Sequence, residues 1–231
     1  MQLPVGTIAN VVTVLVGAAI GAIAGTRFPE RFRTTLMATL GLITAGLGIR
    51  ETMATGEFPL VIAALVVGAL IGESLRIEQG LERFGAMLQP KVGGTGAAGN
   101  RRFSEGFVLA SLVFCVGPLT IVGSINDGLG DPEMLLVKAA LDGFAAIAFA
   151  AVYGWGVALA AITVAVIQGG IAFGGSALEG VLTDPMLDAL STAGGIMLLG
   201  IALRLLDLKQ IRVANLLPAI VLAPLFVAWW G

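Results

Sequence analysis

The sequence predicts an all-α, polytopic membrane protein, and three observations indicate this class. Of its 231 residues, 57% are hydrophobic and only 12% are charged, whereas soluble domains are about 25% charged. The mean hydropathy is +0.98. The apolar residues form continuous runs of about 20, the length that a helix needs to cross a bilayer core, and not the alternating strands of a membrane barrel. A soluble globular fold is therefore excluded.

The same composition narrows the classes of function. With 13 Lys and Arg against 15 Asp and Glu, the chain has no basic field for nucleic acid. It contains no His and one Cys, so it has no disulfide framework, no His-based triad and none of the commonest metal ligand. The acidic residues lack the spacing of a calcium loop. We therefore expect no enzyme activity, no metal and no cofactor.

Eight apolar stretches, bounded by charge or by Gly and Pro, are each long enough to span the membrane. The boundary between the fifth and the sixth is the least marked, because no charge separates them. The eight predicted spans cover residues 4–25, 34–53, 58–77, 105–124, 134–152, 154–173, 186–206 and 213–230.

The basic residues predict the orientation of these spans. Eleven of the 13 Lys and Arg follow spans one, three and seven, which places them on one side of the membrane if eight spans alternate. The connections on the other side are acidic. Because cytoplasmic loops carry the excess of positive charge, we expect the basic connections in the cytoplasm and both termini outside.

Two parts of the chain resemble each other. Gly, Thr, Val and Val of residues 6–16 recur at the same spacing in residues 156–166, and the pattern T-x-G-x-I occurs in both 39–43 and 192–196. Spans one to three thus correspond to spans six to eight, and the odd offset of five spans predicts an inverted-topology repeat. The alternative is coincidence among helices rich in Gly, Ala and Val.

These features predict a single transmembrane domain over residues 1–231. Its parts are a first repeat at 4–77, a cytoplasmic loop at 78–104, a central helix pair with a broken span at 105–152, and a second repeat at 153–230. Within the loop, G-x-G-x-x-G at 94–99 has neither the strand nor the helix that dinucleotide binding requires. A flexible linker is the favoured interpretation.

Small residues four apart recur on three predicted helices. The G-x-x-x-G steps lie at residues 17–25, 68–72 and 170–174. Such spacing places glycines on one helix face and lets backbones approach closely. Tight helix packing is the favoured interpretation over a lining for substrate, and the same faces offer contacts for a homo-oligomer.

The fourth span contains Gly117 and Pro118, which predict a break because Pro removes a helical hydrogen bond. Backbone N–H and C=O groups that lack their helical hydrogen bonds inside the membrane are tolerated only where they face other protein groups or a water-filled cavity. One interpretation places Thr120, Ser124, Asn126 and Asp127 around such a cavity. The other is a simple proline kink that ends in a turn at 126–128.

Charged residues inside spans are functional-site hypotheses by default. Asp142 lies eight residues into the fifth span, on one helix face with Lys138, which predicts either a binding site or a structural salt bridge. Glu73 and Arg76 form a second candidate pair near the end of span three. The amides Asn10, Gln168 and Asn215 are candidates for ligand contacts or for hydrogen bonds between helices.

Several motifs resemble those of the YqgA/YdfK-like bacterial inner-membrane proteins, a family of unknown function. They are G-T-I-x-N at 6–10, G-A-L-I-G-E at 68–73, F-V-x-A-S-L-x-F-C-V-G at 107–117, I-V-G-S-I-x-D-G at 121–128, L-D-G at 141–143 and I-R-V-x-N-L-L-P-A at 211–219. The resemblance covers nearly the whole chain and implies a multi-pass protein of the bacterial inner membrane. It supplies no activity.

From these residues we expect a transporter of a small solute or ion that works by alternating access around a polar site near the membrane midplane. Asp142 would bind a cation or proton. The alternatives are a channel lined by the same residues and a membrane scaffold whose charged pairs are structural. The expected partners are the lipid bilayer, the solute and a second copy of the chain, and not nucleic acid. The candidate site comprises Asp142, Asp127, Asn126, Ser124, Thr120, Asn10, Asn215 and Glu73, with the break at Gly117 and Pro118.

Overall fold

The computed structural model describes residues 3–92, 97–178 and 181–231. Within these ranges the chain is mostly helical and forms no strand, as the continuous apolar runs predict. The helices are α1 (Val5–Gly25), α2 (Glu30–Thr52), α3 (Phe58–Leu75), α4 (Ile77–Val92), α5 (Ala97–Cys115), α6 (Pro118–Leu129), α7 (Glu133–Tyr153), α8 (Ala160–Leu178), α9 (Asp184–Leu205) and α10 (Leu217–Trp230), with short 3₁₀ segments at Gly154–Leu159 and Val213–Leu216.

Among the described residues, six helical segments are long and apolar enough to cross a membrane, or seven if α5 and α6, bent by 64°, count as one span. One of the six, Glu133–Gly175, is 43 residues long and includes α7 and most of α8. Its residues Asp142 and Gln168 both contact Asn10, although a continuous helix would hold them about 39 Å apart. The segment therefore folds back on itself, and the count of eight stays a prediction.

The chain divides into two compact units, each assembled from separate segments. The first unit comprises Met1–Met37, Leu81–Cys115 and Leu119–Glu179, and the second comprises Ala38–Gly80, Val116–Pro118 and Gly180–Gly231. These units are not the two predicted repeats. Each unit contains helices from both halves of the sequence, because helices that are far apart in the sequence pack against each other.

In the first unit, α1 runs parallel to α7. An ideal Cβ on Gly17 would lie 2.3 Å from the Gly143 carbonyl oxygen, and one on Gly21 would lie 2.1 Å from the Ile147 oxygen. Only glycine permits so close an approach of two backbones, which confirms helix packing at this G-x-x-x-G step. Helix α8 runs antiparallel to α1. The segment that precedes α8 lies near the end of α1, whereas Gln168, farther along α8, contacts Asn10 near the start of α1.

In the second unit, both helix pairs are antiparallel. Gly41 of α2 lies against Leu206, next to the end of α9, and Gly48 lies against Gly195 in the middle part of α9. Gly68 of α3 packs on Ala219 of α10, and Val61 of α3 shares an apolar cluster with Val227. Each of the first three predicted spans thus packs against its predicted counterpart, and the two run in opposite directions.

The predicted loop at 78–104 contains helix α4, and α5 begins at Ala97, inside this stretch. The apolar residues of α4 are separated by charged and polar residues and form no continuous run of membrane length, so the stretch lacks the signal of a membrane span. Phe84 packs on Phe107 with ring centroids 5.9 Å apart, and Gly85 also faces the Phe107 ring. Of the predicted flexible linker at 94–99, residues 94–96 lie outside the described residues, and residues 97–99 are not a linker because they form the start of α5.

Candidate functional site

A buried ion pair lies near the middle of α7. The Lys138 ammonium contacts the Asp142 carboxylate one helical turn away, and their side chains are only 7% and 11% exposed. Asp142 is nine residues from the start of this 21-residue helix, so the pair lies away from both helix ends. Removing two charges from water is costly unless further polar groups solvate them, and the surrounding helices supply such groups.

The first of these groups is a carbonyl freed by the break in the neighbouring helix. Helix α5 ends at Cys115 and α6 begins at Pro118, and Pro118 has no N–H to donate to the Phe114 carbonyl four residues earlier. That oxygen instead accepts hydrogen bonds from the Lys138 ammonium at 2.8 Å and from the Thr120 hydroxyl at 2.9 Å. The break therefore provides a ligand for the buried cation.

Two amide side chains complete the cluster. The Asn10 amide nitrogen donates to the Asp142 carboxylate at 2.9 Å and to the Gln168 side-chain oxygen at 3.1 Å. Both amides are 0% exposed. The Asn10 Oδ1 acceptor and the Gln168 Nε2 donor have no hydrogen-bond partner among the described residues. Buried polar groups are rarely left unpaired, so this position can bind a small polar group.

Asp127 has a different environment from Asp142. Its carboxylate accepts hydrogen bonds from the backbone N–H groups of Gly6 and Thr7, both at 2.8 Å, and from the Thr7 hydroxyl at 2.9 Å. These N–H groups belong to the first turn of α1, where Pro4 supplies no side-chain cap. Asp127 thus caps α1, where a negative charge also favours the helix dipole.

In the described part of the chain, the remaining predicted residues of span four form no hydrogen bond with the charged and amide side chains of the cluster. The Thr120 hydroxyl reaches it through the shared Phe114 oxygen, whereas the Ser124 hydroxyl bonds to the Thr120 carbonyl within its own helix. Asn126 is half-buried, and its carbonyl accepts the Asp131 N–H at 2.9 Å. Within the cluster itself, the predicted residues in direct contact are Asn10 and Asp142.

Glu73 and Asn215 belong to the second unit, where they contact each other. The Asn215 amide donates to Glu73 at 2.6 Å, and Arg212 binds the other carboxylate oxygen at 2.6 Å. The predicted pairing of Glu73 with Arg76 is wrong. Arg76 ends α3 in a left-handed conformation with φ of 53°, which abolishes the helical geometry that a pair three residues apart requires.

A buried ion pair in the second unit has no counterpart in the predicted site. Arg204 of α9 binds Glu78 of α4 at 2.6 Å, and the two side chains are 7% and 5% exposed. Glu78 also accepts the Ala214 N–H at 3.0 Å, and its own N–H donates to the Asn215 side chain at 2.8 Å. This network joins α9 and the 3₁₀ segment to the start of α4.

Replacing Arg204 with Met is expected to lower the free energy of unfolding by about 3–5 kcal/mol, because it removes an arginine that pairs with the buried Glu78 carboxylate. Arg212→Met provides the control. Its pair with Glu73 is more than half exposed, so its loss should cost about 1 kcal/mol or less. Unfolding by denaturing detergent in mixed micelles would measure both, and equal losses would contradict the structural role of the buried pair.

Three participants in the cluster fall outside the site predicted from the sequence. The sequence indicates Lys138 and Gln168 only as a salt-bridge partner and a buried amide, and Phe114 contributes a backbone atom that no side-chain search detects. One signal for Phe114 exists, since the residue four before a proline always loses its helical donor. In the second unit, Glu78 carries no signal, because it lies in a stretch predicted to be a loop.

Comparisons with known proteins place the chain in a family of unknown function, and one relative is named as a membrane protein. The family model described as "Protein of unknown function (DUF554)" matches residues 5–228. The "Uncharacterized protein YqgA" of Escherichia coli (strain K12) is 33% identical over 228 residues, which cover 97% of each chain. The "Uncharacterized membrane protein YdfK" of Bacillus subtilis (strain 168) is 29% identical over 96% of this chain and 95% of its own. No solved structure matches.

Proposed function

Since the chain belongs to the DUF554 family, whose description assigns no activity, we propose from its own geometry that it transports a small solute or ion across the membrane. The observation that carries this proposal is the cluster in the first unit. There a buried Lys138–Asp142 pair meets two fully buried amides, Asn10 and Gln168, that retain one unpaired acceptor and one unpaired donor among the described residues. No enzymatic step is part of the proposal.

The chemistry of the cluster suits a ligand that is bound and then released. Asp142 supplies negative charge, Lys138 supplies positive charge, and the amides supply one acceptor and one donor. A cation or proton that binds Asp142 competes with Lys138, whose ammonium can stay on the Phe114 carbonyl. Binding can thus exchange one partner of Asp142 for another without leaving Lys138 in an apolar environment.

The helix arrangement supports an alternating-access mechanism. In transporters with inverted repeats, the site lies near the membrane midplane beside interrupted helices. Here the α5–α6 interruption lies beside the cluster, and predicted repeat helices pack antiparallel in each unit. The inverted repeat is part of this proposal. A channel would instead need the same polar groups to line a continuous pore.

The proposal is tested with purified protein in two steps. A thermal-shift screen against ions and small metabolites identifies a ligand, because a compound that binds only the folded state raises the melting temperature. Uptake of that compound into proteoliposomes should then be saturable and driven by its gradient. Asp142→Asn keeps the side-chain volume but removes the charge, so it should abolish both responses while the protein still folds.

Glu133→Gln is the matched control for this experiment. It removes a carboxylate from the same helix at an exposed position in the first turn, and it should leave ligand response and uptake unchanged. A well-folded Asp142→Asn protein with full ligand response would refute the assignment of the site. Unsaturable flux would favour a channel, and the absence of any flux would favour a scaffold.

A further inference from the structure

A cavity that lies apart from the polar cluster is found in the first unit, at the ends of α1 and α7. Its volume is about 230 Å³, far above the 10–15 Å³ or so that a single water needs. Its walls include the last residue of α1, the last residue of α7 and side chains from α2, α4 and α5. The polar and aromatic side chains that line the cavity include Arg33, Arg102, Tyr153 and Trp155.

The position of the cavity corresponds to the surface of a bilayer. Helix α1 has 21 residues and is therefore about 31 Å long, equal to the hydrocarbon core that it would cross. The cavity lies at its last turn, at Ala22 and Gly25. Tyr153 and Trp155 line the same cavity, and these two residue types are enriched at the level of lipid headgroups.

The charge of the cavity is positive. Arg33 and Arg102 line it, and no carboxylate does so among the described residues. One terminal nitrogen of Arg33 donates to the Gly25 carbonyl at 2.7 Å, which fixes the guanidinium at the end of α1. The Nε of Arg33 is buried and has no hydrogen-bond partner in the described part of the chain, and buried donors are rarely left unpaired.

We propose that this cavity binds a phosphate group, supplied by the headgroup of an anionic phospholipid. Arginine binds phosphate through parallel N–H donors and is the preferred residue for this planar recognition. Basic pockets between transmembrane helices take up anionic headgroups in the same way. The depth of the cavity places it where a lipid phosphate lies, whereas free phosphate in solution has the same chemistry and is the other source. This proposal does not depend on the transport site, which uses other residues.

The test uses the full chain in nanodiscs of phosphatidylcholine alone or with added phosphatidylglycerol, with bound lipid counted by native mass spectrometry. Phosphatidylglycerol should be retained in preference to phosphatidylcholine. Arg102→Gln should weaken its binding about tenfold, the effect of one hydrogen bond to a charged group. Because Arg102 is exposed and Arg33 keeps its bond to Gly25, this variant should fold normally.

Arg83→Gln is the control, since Arg83 is an exposed arginine of α4 that does not line the cavity. It should leave lipid retention unchanged. A second arm adds inorganic phosphate to nanodiscs of phosphatidylcholine alone. Binding that depends on Arg102 in this arm, without selectivity for phosphatidylglycerol, would overturn the lipid source and assign the cavity to free phosphate. Equal behaviour of the two variants in both arms would overturn the proposal as a whole.

Discussion

Replacing Lys138 with Met is expected to lower the free energy of unfolding by about 3–5 kcal/mol, because the Asp142 carboxylate would then be buried with only the Asn10 amide to stabilise it. Lys209→Met makes the same change at an exposed position and should alter stability by about 0.5 kcal/mol or less. Detergent-induced unfolding in mixed micelles measures both variants. A Lys138→Met protein as stable as this control would show that the ion pair does not stabilise the fold.

The double variant, Lys138→Met with Asp142→Asn, separates structure from function. Removing both charges leaves no uncompensated ion, so stability should return to near that of the native chain. The amide oxygen introduced by Asp142→Asn can still accept a hydrogen bond from Asn10. If Asp142 is a binding residue, the restored protein stays inactive in the ligand and uptake measurements. Recovery of activity together with stability would instead show that the Lys138–Asp142 pair is a structural salt bridge and that Asp142 does not bind the ligand.

The second large effect is expected at the α1–α7 contact. Gly21→Ala should lower stability by about 2–3 kcal/mol, because its Cβ would lie 2.1 Å from the Ile147 carbonyl oxygen, and a backbone atom can move only if the helices separate. Gly170→Ala is the matched control in α8, where a Cβ meets nothing within 4 Å. There the change should be neutral or stabilising by up to about 1 kcal/mol, since Ala favours helix over Gly.

Thermal unfolding of the two alanine variants, measured side by side, checks this difference of sign. A Gly21→Ala protein that melts with the native chain would mean that α1 and α7 lie farther apart than the structure places them. A strongly destabilised Gly170→Ala protein would mean that α8 contacts another surface through its own G-x-x-x-G step, which would support the predicted contact between two copies of the chain.

The fold could be predicted to the extent that it depends on local composition. Apolar runs of membrane length locate α1, α3 and α10 within a few residues, and Gly154, with φ of 75°, marks the turn between predicted spans five and six. Helix α4 could not be found by the same criterion, because its apolar residues recur at helical spacing among charges and never form a run. The division into units was equally inaccessible, since it depends on contacts between distant segments.

The sequence predicts which residues belong to the candidate site from their type, but it does not predict which of them contact each other. Asn10 and Asp142 are both identifiable because polar groups in a membrane span are rare and costly. Their contact joins residues 132 positions apart, and nothing in the local sequence specifies which of several buried polar groups will meet. Asp127 is a further example. As a carboxylate in a membrane span it is predicted to bind a ligand, but its partners are the N–H groups at the start of α1, which the local sequence does not specify.

The cap that Asp127 places on α1 also constrains how the protein is made. The N–H of Gly6 is bound by a carboxylate 121 residues later in the chain. Since ribosomes add about 5–20 residues per second, α1 is synthesised about 6–24 seconds before its acceptor. During this interval its glycine face, which later packs on α7, is also without its partner. Biosynthesis must hold the first helix in an incomplete state until the second half of the unit arrives, so insertion into the bilayer and completion of the fold are separate events in time.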